Sequence, residues 1–262
     1  MQPLNRNHGG YRGETIDIAA VLGHCTQAAQ KAGWQTERIA TDHNLDLLAF
    51  RRGVSVFHPP HGVLRAYLST GIHGDEPAGP LAMQRVIEID NWPPEVELWA
   101  LPCLNPTGFP LNRRENTAGV DLNRDYRHLE TPEIRAHVAW LKHQPAFDLT
   151  LCLHEDWEAH GFYVYELNPE NRPSLAPAIV DAVATVCPID YSEMIEGRAA
   201  SGGIVRPILD PNTRPQWPEA FWLLQNKTRL SYTLEAPSDF PLEIRVQALV
   251  VATRRALEKL QS

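Results

Sequence analysis

Four short segments hold side chains whose types and spacing suit chemistry. In YLSTGIHGDEPAG, His73 and Glu76 stand three apart, just beyond a run that reads as a strand. An imidazole and a carboxylate are donors zinc prefers, and a catalytic zinc site takes three protein ligands and keeps one position open. Gly71 and Gly74 flank His73 and permit the bend that turns both side chains to one point. In LTLCLHED, His154 closes a strongly apolar run; open α/β sheets gather their sites at such carboxyl ends of strands. His8, His58, His61, His128, His137, His143 and His160 have no comparable context. The third segment is Arg114-Glu115-Asn116 followed by GVDLNRDY (119–126), and the fourth, YTLE, ends a strand on Glu235.

These residues need a scaffold of alternating strands and helices. Residues 14–32 place Ile18, Val21, Leu22, Cys25 and Ala29 on one helical face, with Gly33 as C-cap. Residues 36–41 and 45–51 predict a hairpin around Asp42-His43-Asn44. Strands are expected at 64–70, 96–101, 148–153, 162–166 and 230–234, and helices from Pro77, from Thr131-Pro132-Glu133, and over 242–260. The 148–153 run is apolar throughout, as in a buried central strand. Strands alternating with helices predict α/β architecture with helices on both faces of a sheet. No linker or repeat divides the chain, so residues 1–262 are expected to form a single domain.

The chain's 262 residues are 43% apolar and 21% charged, an ordinary globular balance. A net charge of -8 repels phosphate backbones and argues against a nucleic-acid partner. No run approaches a membrane span, and the N-terminus shows no apolar signal segment. Cys25, Cys103, Cys152 and Cys187 are isolated, so no disulfide framework is expected. A soluble cytoplasmic protein follows, acting on a small molecule, with its oligomeric state open.

Taken in order, GIHGDEPAG, NPTG (105–108), RENTAGVDLNRDY (114–126), TPEIRA (131–136), His154, ASGG (200–203) and TLEAP (233–237) resemble the M14 zinc carboxypeptidases. The form is similar to the compact bacterial, murein-peptide-amidase-like members. The succinylglutamate desuccinylase/aspartoacylase branch shares HxxE, DLNR and the distal histidine. The resemblance implies a mixed, twisted sheet of about eight strands flanked by helices. It implies that His73, Glu76 and His154 hold zinc, and that Glu235 is the general base. Arg114 would bind the oxyanion, with the adjacent Arg113 an open alternative, and Asn123 and Arg124 would hold a free substrate carboxylate.

The expected activity is zinc-dependent hydrolysis of an amide bond in a small peptide with a free carboxylate. The alternatives are an N-acyl amino acid deacylase and a zinc-free binding domain on the same fold. One departure stands out: where the carboxypeptidases carry a tyrosine, three residues before the serine of SGG, this chain has Arg198. An added cation there favours an acidic substrate. Val205 is expected near the specificity pocket. Glu155, Asp156 and Glu158 are expected as a solvated acidic loop or, alternatively, as carboxylates orienting His154.

Overall fold

The computed structural model describes residues 2–6, 13–41, 46–54 and 62–261, so His8, His58, His61 and the expected turn at 42–44 lie outside it. One mixed sheet runs through the molecule. Its strands are β1 (Gln35–Ala40), β2 (Asp46–Arg52), β3 (Leu64–Thr70), β4 (Val96–Leu101), β5 (Leu149–Asp156), β6 (Tyr163–Leu167), β7 (Met194–Ile195), β8 (Arg198–Ser201), β9 (Ile204–Val205) and β10 (Ser231–Pro237), in the order β1-β2-β4-β3-β5-β10-β6-β9-β8-β7. β4, β3, β5 and β10 are neighbours and mutually parallel. β1 and β2 pair antiparallel at one edge, with Gln35 opposite Arg51.

The helices are α1 (Ile18–Ala32), α2 (Ala78–Ile89), α3 (Pro132–His143), α4 (Ala176–Val183), α5 (Glu219–Asn226) and α6 (Leu242–Leu260). α1 begins where Asp17 accepts from Ala20 N and ends on Gly33 in the left-handed conformation, with φ 76°. α1, α2, α4 and α6 bury their apolar stripes in one core, and α3 and α5 in a second core across the sheet.

Strand alternation decides which side chains face which core. On β5, Leu149, Leu151 and Leu153 enter the first core, as do Tyr232, Leu234 and Ala236 on β10. The residues between them, Cys152 and His154 on β5 and Thr233 and Glu235 on β10, therefore face the α3/α5 side, and all four line one cleft.

The sheet has ten strands where about eight were expected. The difference lies in β7, β8 and β9, which have two, four and two residues, too few to show an alternating pattern. Their turns are made by Glu196 and Gly197 (φ 46° and 69°) and by Gly202 and Gly203 (φ 61° and 74°). Helices α4 and α5 were not expected either: each spans only eight residues, among the prolines that are frequent after residue 169. Among the described residues no helix is long and apolar enough to cross a membrane.

Candidate active site

The three parallel strands β3, β5 and β10 end side by side, and their carboxyl ends build the site. His73 and Glu76 sit between β3 and α2, in a loop whose two glycines are sterically required. Gly71 has φ 63°, and a Cβ on Gly74 would lie 2.2 Å from the carbonyl carbon of Gly108. That contact docks the loop against the NPTG turn. There Asn105 N donates to Gly71 O at 2.8 Å, and Asn105 Nδ2 donates to Arg114 O at 3.2 Å.

His73, Glu76 and His154 are all buried, and one ligand atom from each lies within 4.8 Å of the others. The Nδ1 atoms of both histidines face the same carboxylate, His73 Nδ1 2.5 Å from Glu76 Oε1 and His154 Nδ1 3.0 Å from Glu76 Oε2. Burial would raise the Glu76 pKa, but the two imidazoles beside it hold the carboxyl well below its ordinary range. Two imidazole nitrogens and one carboxylate, converging and withdrawn from water, are a donor set that can hold one metal ion.

Behind the first imidazole stands Asp121. Its Oδ1 lies 3.3 Å from His73 Nε2 and accepts from Asn123 N at 2.9 Å, while its Oδ2 accepts from Arg114 Nε at 2.8 Å. Burial would raise its pKa, yet His73 and the charges of Arg114 and Arg124 hold it well below the carboxylate range. The position of Asp121 two residues before Asn123 is the signal that it starts the helical turn Leu122–Arg124, which aims its carboxylate at the histidine.

Arg114 and not Arg113 lines the cleft. The Arg114 Nη1 lies 3.3 Å from His73 Nδ1 and 3.7 Å from Glu76 Oε1, whereas Arg113 donates to Asn116 O. Asn123 is fixed by accepting from Glu219 N at 2.8 Å, and the exposed Arg124 donates to Asn123 O at 2.9 Å. Asp125 is committed elsewhere, accepting from Glu130 N, Thr131 N and Thr131 Oγ1. Glu235 pairs in register with His154 on the adjacent strand. Burial, then Glu76, Asp156 and Glu196, push the Glu235 carboxyl well above its ordinary range.

Of the residues after His154, Glu158 is exposed as expected, but Glu155 and Asp156 belong to the strand and not to a solvated loop, and neither hydrogen-bonds His154. Glu155 and Asp156 are buried. Glu155 accepts from Ala78 N and pairs with the fully buried Arg245 of α6, while its own N–H donates to Glu76 Oε2 at 3.1 Å. Asp156 accepts from Glu158 N and from the Tyr163 hydroxyl. Val205 does not itself line the cleft: it is fully buried in a small cluster with Ala159, Tyr163 and Ile195, one strand behind Tyr165, which does line it.

Arg198 does reach the cleft, with its guanidinium over the Tyr165 ring and its Nη1 3.5 Å from Glu196 Oε2. The whole cleft holds about 390 Å³ and also takes in Trp157 at its rim and Arg214, Phe221 and Ala220 at its far wall, none of which sequence reasoning singled out.

No family model matches the chain. Carboxypeptidase SOL1 of Arabidopsis thaliana is 34% identical over a stretch covering 27% of this chain and 19% of that protein, so the match spans about a fifth of that relative. A candidate metallopeptidase from Shewanella amazonensis superposes with a TM-score of 0.78 at 22% identity, over 93% of both chains. A metallo-carboxypeptidase from Burkholderia cenocepacia gives 0.66 at 18% identity, covering 93% of this chain and 68% of that one. A metallo-carboxypeptidase from Pseudomonas aeruginosa, in complex with (2-guanidinoethylmercapto)succinic acid, gives 0.61 at 21% identity over 90% and 68%. With its sheet superposed on theirs, the chain has the fold of these metallo-carboxypeptidases.

Proposed function

We propose that the protein is a single-domain, zinc-dependent hydrolase that cleaves an amide bond in a small peptide bearing a free carboxylate. The observation that carries this reading is the convergence of His73, Glu76 and His154 at the floor of a cleft, with Glu235 in register beside His154. The donor set fits zinc, and Asp121 behind His73 Nε2 leaves Nδ1 free to ligate. When bound, the metal supplies a Lewis acid that polarises the scissile carbonyl and activates the attacking water.

The chain's own residues do the rest. Glu235 takes the water's proton onto a carboxylate oxygen and returns it to the leaving amine. Arg114, clamped through Nε by Asp121, offers its Nη protons to the oxyanion as charge develops. Asn123 and Arg124 hold the substrate's carboxylate, and Arg124 is available because Asp121 and Asp125 are bonded elsewhere. The Pseudomonas neighbour's succinic acid ligand supports a small carboxylate as the bound species.

The test is a matched pair of peptides, one with a free terminal carboxylate and one blocked as the amide. The free acid should be hydrolysed with a kcat/KM at least about a hundredfold higher, because an unmatched charge in a partly desolvated cleft costs several kcal/mol. Equal rates on the pair would remove the carboxypeptidase reading. Turnover of N-acyl amino acids in place of peptides would move the protein to the deacylase alternative.

A further inference from the structure

Arg214 precedes α5 on the wall of the cleft. Its guanidinium lies over the Phe221 ring, 4.2 Å from the centroid, and that ring lines the same cleft. The only hydrogen bond the Arg214 side chain makes among the described residues is a long one, from Nη2 to Ile208 O at 3.4 Å, and it pairs with no carboxylate among them. The side chain of Arg124, on the cleft too, likewise donates among the described residues only to its neighbour's carbonyl. Two guanidiniums without counter-ions therefore share one cleft, and Arg198, held by Glu196 and Tyr165, adds a third cation beside them.

Like charges gathered without partners are costly, and a site that keeps them is built to receive anions. Burial and then the charges of Arg198 and Arg124 lower the Arg214 pKa, as expected of cations crowded together. The proposed clamp at Asn123 and Arg124 needs only one carboxylate, so a single terminal carboxylate leaves Arg214 unmatched. Stacking on Phe221 orients the flat face of Arg214 and leaves its edge for a planar, two-oxygen partner.

We propose that Arg214 binds a second carboxylate, that of an acidic side chain on the substrate's terminal residue, so that the enzyme takes dicarboxylic substrates ending in glutamate or aspartate. Arg214 is then the specificity-determining residue of the pocket, with Arg198 as its neighbour. The inference rests on the proposed carboxylate-requiring hydrolase and names the substrate class of that same site.

The experiment compares zinc-loaded wild type with Arg214→Gln, which keeps a polar stem near Phe221 and removes the charge. The substrates are acetyl-alanyl-glutamate, acetyl-alanyl-glutamine and the terminal α-amide of the former, with direct calorimetric binding of L-glutamate and L-glutamine alongside. Wild type should prefer the glutamate peptide over the glutamine peptide by about tenfold or more, the worth of one charge-assisted pair in a half-open site. In Arg214→Gln that preference should fall to about one, while the preference for free acid over α-amide stays.

An unchanged glutamate-to-glutamine ratio in the variant overturns the proposal. Loss of both preferences together also overturns it, because Arg214 would then serve the terminal carboxylate. If no peptide is turned over, equal affinity of wild type for L-glutamate and L-glutamine overturns it by binding alone. Failure of the underlying reading shows separately, as wild-type indifference to the α-amide.

Discussion

Glu235 is the residue on which the proposed chemistry turns, and its strand position makes it separable from metal binding. Its neighbour across the β5–β10 ladder is His154, but its carboxylate is not one of the three converging ligand groups. Glu235→Gln keeps the shape and loses the proton acceptor, so kcat should fall by about 10²–10⁴-fold with metal content unchanged. A variant with near wild-type kcat would assign the base elsewhere. Asp121 predicts a different signature. Asp121→Asn removes charge from behind His73 and from Arg114, so both metal affinity and kcat should drop; losing the carboxylate partner of a ligating histidine typically weakens metal binding about 10–100-fold. Competition against a chromophoric chelator measures the affinity, and an unaltered affinity would reduce Asp121 to a brace for Arg114.

At the scale of elements, the backbone contact at Gly74 and the buried polar chain beneath the clamp hold the loops in place. Gly74→Ala puts a Cβ into the backbone of Gly108, which cannot yield as a side chain can. The NPTG turn must then shift, and the melting temperature should fall together with activity, by roughly 2–8 °C for a loss of about 1–2 kcal/mol; calorimetry decides it. Under the sheet, His137 is fully buried between Tyr126 (Nδ1, 2.8 Å) and Tyr67 (Nε2, 2.9 Å). Tyr67 donates its hydroxyl proton to Glu219 at 2.7 Å, so it accepts from His137 Nε2–H, and the ring is the neutral Nε2–H tautomer with Tyr126 donating to Nδ1. Glu219 carries the chain onward, its N–H holding Asn123. Burial lowers the His137 pKa from 6.5 to about 3. The neutral form is thus favoured on folding: its stabilisation is complete above pH 6.5 and is lost as pH falls towards 3, at up to about 1.4 kcal/mol per pH unit. Wild type should lose more stability than His137→Gln between pH 6.5 and 4.5 in urea titrations, and parallel losses would contradict this assignment. His137 looked featureless in the sequence because its partners come from a turn and a strand outside its own helix, whereas the C-cap of α1 and the apolar run of β5 were legible from neighbouring residues alone. The Arg245–Glu155 pair escaped because its members lie far apart in the chain, and β7–β9 because each is too short to show an alternating pattern.

Over the whole molecule, the sheet order explains why segments so far apart meet. Parallel pairing of β3 with β5 and of β5 with β10 lays three carboxyl ends together, and right-handed crossover geometry favours that arrangement once helices cover both faces. The ordered motifs pointed to this arrangement by resemblance. Arg214 belongs to no motif, and only the folded chain brings it to the cleft beside Arg124. The central claim is that the cleft floor holds one catalytic zinc, and elemental analysis of exhaustively dialysed protein tests it most directly. Wild type should retain about one zinc per chain, and His154→Ala, at a position buried among the three converging ligands, should retain essentially none. Wild-type protein that retains no metal after incubation with zinc, or a His154→Ala variant that retains a full equivalent, would contradict it.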